Sequence, residues 1–245
     1  MVRSVYTLSI RQLLGWRRLL VLLGLAAVPL IPAAINAASA TPWYVWDADR
    51  ALLDHLLAAA ILPLVTLTIA SAAFGNELED KTLGNLTLTP IRRGRIVLAK
   101  LAAVLTVALP FVVASAVVSV LLGYGGAGIQ GSGKAAVAAA VAFAVGVAVY
   151  SAVFLWLGLV TSHPLGFGLL YVFVWEGLFA TFVSGIRYLS IRQYTLGVVT
   201  TVDPARFLGA NETIVGSGMA IAGSAIVFGA FVLLAMRRLR RMDVV

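Results

Sequence analysis

The sequence has no cysteine, ten acidic residues against eighteen basic ones, and two histidines in 245 positions. Each shortage closes off some chemistry. Without cysteine there are no disulfides, no thiolate metal centres and no thiol nucleophile, and nothing reports a redox compartment. His55 and His163 lie far apart, and no pair of histidines or carboxylates has metal-ligand spacing. Charged residues make up 11% of the chain, hydrophobic ones 61%, and mean hydropathy is +1.02. A soluble domain carries about 25% charge, so this composition excludes one. The net charge of +8 would suggest nucleic acid in a soluble protein. In a membrane protein the bias of basic residues towards the cytoplasm accounts for it, and no nucleic-acid partner is expected.

What is present is apolar length. Six segments, roughly 19–38, 53–74, 101–122, 135–160, 165–186 and 214–236, are each long enough to cross about 30 Å of hydrocarbon. The reading is one all-α integral membrane domain over residues 1–245, with six transmembrane helices and no separate soluble domain. Pro29, Pro32, Pro63 and Pro110 fall inside these segments and should kink them. With the N-terminus inside, the cytoplasmic stretches carry four, five and four basic residues, thirteen of the eighteen. That asymmetry places both termini of a multi-pass protein on the cytoplasmic side, with lipid as its surroundings. Trp43, Tyr44 and Trp46 suit an outer aromatic belt. The basic start, the apolar run and Ala38-Ser39-Ala40 also resemble a signal peptide, but two prolines in the run argue for an uncleaved first span.

Val2 to Arg18 is amphipathic. Arg3, Thr7, Arg11 and Arg18 share one helical face, and Val2, Tyr6, Ile10, Leu13 and Leu14 largely share another. This reads either as an interfacial helix or as a basic flank to the first span. Between the fifth and sixth segments, Arg187–Thr213 mixes apolar and polar residues and predicts short helices in the outer interface, with Asp203-Pro204 as a helix start. In the last segment, Gly218/Ala222 and Ala225/Gly229 have the small-xxx-small spacing that permits close helix contact.

One polar island interrupts the apolar pattern. Phe74–Lys100, FGNELEDKTLGNLTLTPIRRGRIVLAK, holds three of the ten acids and five of the eighteen basic residues. Asn76 with Glu79 has capping-box spacing, and Glu77, Glu79 and Asp80 would complement the positive end of a helix dipole. Pro90 ends that element. The expectation is a short capped helix at the cytoplasmic face, shaped to dock on a partner.

Few residues suggest chemistry. Gly128–Ala135, GIQGSGKA, nearly matches a phosphate-binding loop, but it lacks the final Ser/Thr and no strand precedes it. The chain therefore shows no nucleotide-binding motif, and it is read as no enzyme. Ser132 with His55 or His163 invites an intramembrane serine protease reading, which requires serine and histidine buried together. Glu176 stands near the middle of the fifth segment, in LLYVFVWEGLFATF, where an ionisable group costs about 2.5–3.5 kcal/mol. It lines a conduit or hydrogen-bonds between helices, beside Phe173, Phe179 and Ala180. A self-sufficient secondary transporter or channel, with Glu176 as its ion or proton site, remains an alternative.

The polar island resembles the segment between spans 2 and 3 in permease subunits of the type-2 ATP-binding-cassette (ABC) exporter family. The family run has an acidic pair, Thr-Leu, a Leu-rich stretch, Pro, a basic residue and a Lys opening span 3. Glu77, Glu79, Thr82, Leu83, Leu86, Pro90, Arg92 and Lys100 occupy those places. Gly84 stands where many relatives carry a helix former. The runs YVFVWEGL and YLSIRQY also resemble one bacterial branch, and the similarity covers nearly the whole chain. The resemblance implies a permease that exports a substrate with ATP hydrolysed elsewhere. It implies a coupling helix at Glu77, Glu79, Asp80, Lys81, Thr82 and Leu83, received by an ABC-type ATPase subunit present in two copies. A second permease copy, or a related permease, would complete the path. ATP and Mg would sit on the ATPase, with no cofactor in this chain.

Overall fold

The computed structural model describes residues 2–79, 93–179, 186–207 and 214–241, and the chain over them is helical, with no strand. Ala, Val and Leu dominate, and in hydrocarbon a helix is the one open-chain form that satisfies every backbone group locally. The amphipathic start forms α1 (Val2–Leu13). Arg3, Thr7 and Arg11 are exposed, while Val5, Tyr6 and Ile10 pack on the core. The Tyr6 hydroxyl lies 2.9 Å from that of Thr106, so α1 is anchored to the third span. A break at Leu14-Gly15 separates it from the first span.

That span is two helices, α2 (Trp16–Ala27) and α3 (Leu30–Ala38). Pro29, with no N–H to continue the ladder, caps the second. The second span begins as a short α4 (Val45–Ala48), widens to π-helix over Asp49–Ile61 and tightens to α5 (Leu62–Glu79). The change falls at Pro63, where a backbone donor is missing. The third span is α6 (Arg93–Val120), with Pro110 inside, followed by a π turn over Leu121–Gly125. The fourth is α7 (Ser132–Val160). The fifth apolar segment starts as α8 (Pro164–Leu170) and continues as π-helix over Tyr171–Phe179. After a 3-10 turn at Ile186–Leu189 come α9 (Ile191–Val202) and α10 (Ser217–Arg241).

Among the described residues five helices are long and apolar enough to cross a membrane, and Pro164–Leu178 is a shorter apolar one. α7 is the centre, with α5, α6, α9 and α10 all packed on it. Spans that read as uniformly apolar divide here into buried and exposed faces. Leu20, Val21, Leu23, Ile31 and Ile35 of the first span are exposed, as are Met219, Ile221, Ile226 and Leu233 of the last.

Three expectations change. Asn76 is not an N-cap, because α5 runs through it to Glu79. Nothing between Phe74 and Glu79 breaks a helix, and a capping side chain acts only where the preceding residue leaves helical geometry. Asp203-Pro204 does not start a helix; Asp203 closes α9 and a turn follows. Close helix contact is made elsewhere than at Gly218 and Gly229, around which a Cβ would meet nothing. It occurs at Gly223, where a Cβ would lie 2.7 Å from the Tyr194 ring, and at Gly126, where it would lie 2.3 Å from Ala37. The first lets α9 reach α10, and the second lets α3 reach the end of the third span.

Candidate functional site

The sequence pointed to two polar regions, the end of α5 and Glu176. At the first, the backbone of α5 runs on into the start of the polar island. Phe74 is buried, Gly75 abuts Pro164 at the start of α8, and the helix continues to Glu79. The backbones of Glu77 and Glu79 therefore belong to the last turn of the second span. Asp80, Lys81, Thr82 and Leu83, with the rest of the expected coupling helix, lie outside the described residues.

Around that end the structure is built from basic side chains on backbone carbonyls. Lys100 is buried, donates to the Ala73 carbonyl and lies 4.4 Å from the Phe74 ring centre. Arg93 opens α6 and donates through Nη1 to the carbonyls of Leu239 (3.0 Å) and Arg240 (3.2 Å). Those are terminal carbonyls of α10, which a cation satisfies well. A cleft of about 350 Å³ opens beside the same end, lined by Arg18, Thr68, Ser71, Gly75 and His163.

Glu176 belongs to the other region. Its carboxylate does not face Phe173, which is exposed; Phe179 and Ala180 have no described side chains. It faces the start of α9. Ser190 Oγ donates to Oε2 at 2.5 Å, the Ile191 N–H to Oε1 at 3.0 Å and the Tyr171 hydroxyl to Oε1 at 3.2 Å. Ser190 is itself the N-cap, accepting from the Gln193 N–H at 3.2 Å. An acid at a helix N-terminus takes up donors that the helix leaves unsatisfied and complements its dipole. Glu176 is thus a second cap, supplied from another span.

The helix that it caps was expected in the outer interface, and it is instead packed inward. Ile191, Tyr194, Thr195, Val198 and Val199, at helical spacing, are buried. Arg192 then reaches the second span, with Nε and Nη2 each 2.6 Å from Oδ1 of Asp54. Sequence reasoning missed Ser190 and Asp54 as partners. Leu196 and Gly197 are buried as well, so the helix is enclosed on most sides, and the available signal was the apolar run Leu196–Val199.

Other sequence candidates are not brought together. Gly128–Gly131 is a turn with left-handed Gly128 and Gly131 (φ +70° and +78°), and Ser132–Ala135 already belong to α7. Ser132 opens α7, His55 is exposed on the second span, and no hydrogen bond joins them among the described residues. No group of three or more His, Asp or Glu suited to a metal occurs among the described residues.

Among the described residues the fold is an all-helical bundle with several membrane-length helices, which is the architecture of a multi-pass membrane protein. A family model described as ABC-2 family transporter protein matches residues 16–191, or 176 of the 245 positions, and the chain belongs to that family. Among curated proteins none matches it. The protein is a transmembrane permease component of an ABC transporter.

Proposed function

We propose that this chain forms the substrate path of an ATP-driven exporter, powered by a separate ATPase subunit that docks at the acidic end of α5. The observation that carries the reading is the unbroken helix. α5 joins a buried span to Glu77 and Glu79 with no intervening hinge, so a displacement imposed at those acids is transmitted along the span. A rigid element biased by a ligand on its partner is what a coupling route requires. The neighbouring Asp80, Lys81, Thr82 and Leu83 extend the same contact. Arg93, immediately after that segment, ties it to the end of α10, which gives a second route into the bundle.

On this reading both termini and the segment at residues 80–92 are cytoplasmic, the membrane is the bacterial inner membrane, and two permeases pair with two ATPase copies. Glu176 holds α9 in place and has no need to titrate, because ATP hydrolysis supplies the driving force. The test is to change Glu77 and Glu79 together to Lys. The pair should weaken ATPase binding or uncouple hydrolysis from transport while insertion and the apolar bundle persist. A double variant that binds the ATPase and transports like the parent refutes the docking site.

A further inference from the structure

Asp49, Tyr124, Asp203 and Arg206 meet where α9 ends, and all four are buried. They come from the second span, the end of the third and the turn after α9, positions up to 157 residues apart. The Tyr124 hydroxyl donates to Asp49 Oδ1, and the Phe207 N–H donates to Asp49 Oδ2 at 2.8 Å. Arg206 lies between two carboxylates, with Nε 3.2 Å from Asp203 and Nη1 3.7 Å from Asp49, its guanidinium 5.2 Å from the centre of the Tyr124 ring. Lys134, at the start of α7 and largely exposed, reaches Asp203 at 3.5 Å.

Two features set this cluster apart from a plain strut. Arg206 Nε and Nη1 are buried, yet neither makes a hydrogen bond. The pairing is therefore carried by charge, at 3.2 and 3.7 Å, in a place where charges are costly to desolvate. Phe207, the next residue, has φ +55° and is the one non-glycine in the left-handed region among the described residues. A bulky side chain is strained there, and such strain persists only where the surroundings impose it. The Phe207 N–H bond to Asp49 imposes it here. Relief of that strain favours release once the cluster is disturbed.

We propose that the Arg206 cluster is a releasable latch, closing α9 and its following turn onto the outer ends of the second and third spans. Opening it frees the outer side of the path. The link to the ATP cycle, and the assignment of this end as the outer one, rest on the function proposed above; the contact of α9 with the two span ends does not.

The experiment uses the full chain with its ATPase, in membranes, and a single cysteine at Val199, which is buried on α9. Val199→Cys is labelled with a membrane-impermeant maleimide applied from outside. In the otherwise unchanged chain labelling should be slow. Arg206→Met removes the cation that bridges the two buried carboxylates and should speed labelling roughly tenfold or more, the expected effect of losing a charge-assisted contact. Tyr124→Phe removes one hydroxyl, keeps the ring and should speed it about threefold. Trapping the ATPase with ATP and vanadate should speed labelling of the unchanged latch and add little in Arg206→Met. If Arg206→Met fails to assemble, Tyr124→Phe decides alone. Labelling within about twofold of the parent in the assembled latch variants would overturn the latch. Faster labelling in the variants with no response to trapping would overturn its part in transport. Failure of an ATPase to co-purify would refute the proposed function instead, while the variant comparison would still decide the latch.

Discussion

Glu176→Ala removes, in one change, the acceptor of three donors. The Ile191 N–H is buried at the first turn of α9, where no earlier carbonyl of that helix can accept from it. Leaving a buried donor unsatisfied costs about 1–3 kcal/mol. Ser190 loses its acceptor but keeps its bond from the Gln193 N–H. Tyr171, half-buried, loses the weakest of the three at 3.2 Å. The sum is about 2–5 kcal/mol, and for a chain of this size it should lower Tm by at least about 5 °C. Glu176→Gln is the control. Its carbonyl oxygen still accepts from Ile191 and Tyr171, and its amide donates to Ser190 Oγ, so its loss should stay near 1 kcal/mol. The assay is thermal unfolding of the purified complex, paired with transport in vesicles. The Ala variant should melt early, and the Gln variant should melt and transport almost as the parent does. A Gln variant that melts normally and transports nothing would refute the capping account and assign the charge itself a role. An Ala variant with unchanged Tm would show that the three bonds hold nothing.

Three further outcomes follow from the same geometry. Asp54 and Arg192 are partly buried and 2.6 Å apart, so a double-mutant cycle on Tm should give a coupling of about 1–3 kcal/mol; additive losses would contradict the contact. Gly126→Ala would place a Cβ 2.3 Å from that of Ala37, costing about 1–3 kcal/mol by overpacking, and Ala37→Gly should recover part of the lost Tm. Single cysteines in this cysteine-free chain report topology: one at residue 85 should react only from the cytoplasmic side, and labelling from outside intact cells would overturn the orientation.

The membrane class was legible because hydropathy is additive along a span and needs no tertiary information. The amphipathic face of α1 was legible for a related reason, since Tyr6 and Ile10 recur at helical spacing and pack as their spacing requires. The polar island stood out by composition, but its local structure did not. Asn76 reads as a cap from its type, whereas its actual state depends on the preceding helix, which does not stop. Glu176 was conspicuous as a lone acid in an apolar run. Its partner was not, because Ser190 lies on a segment that mixed composition had assigned to the surface. The cluster of Asp49, Tyr124 and Arg206 was invisible for a stronger reason. Its members are ordinary residues until the fold brings span ends together, and no local period links them.

The proposed drive enters this permease through the acidic end of its second span, from an ATPase carried on another chain. Reconstitution with the co-purified ATPase in sealed vesicles tests it most directly, with hydrolysis and transport measured in the same sample. The parent should show transport that requires ATP, and Glu77→Lys with Glu79→Lys should abolish transport or detach the ATPase without lowering the amount of inserted permease. Transport by the permease alone, driven by an ion gradient and indifferent to the ATPase and to both substitutions, would contradict it.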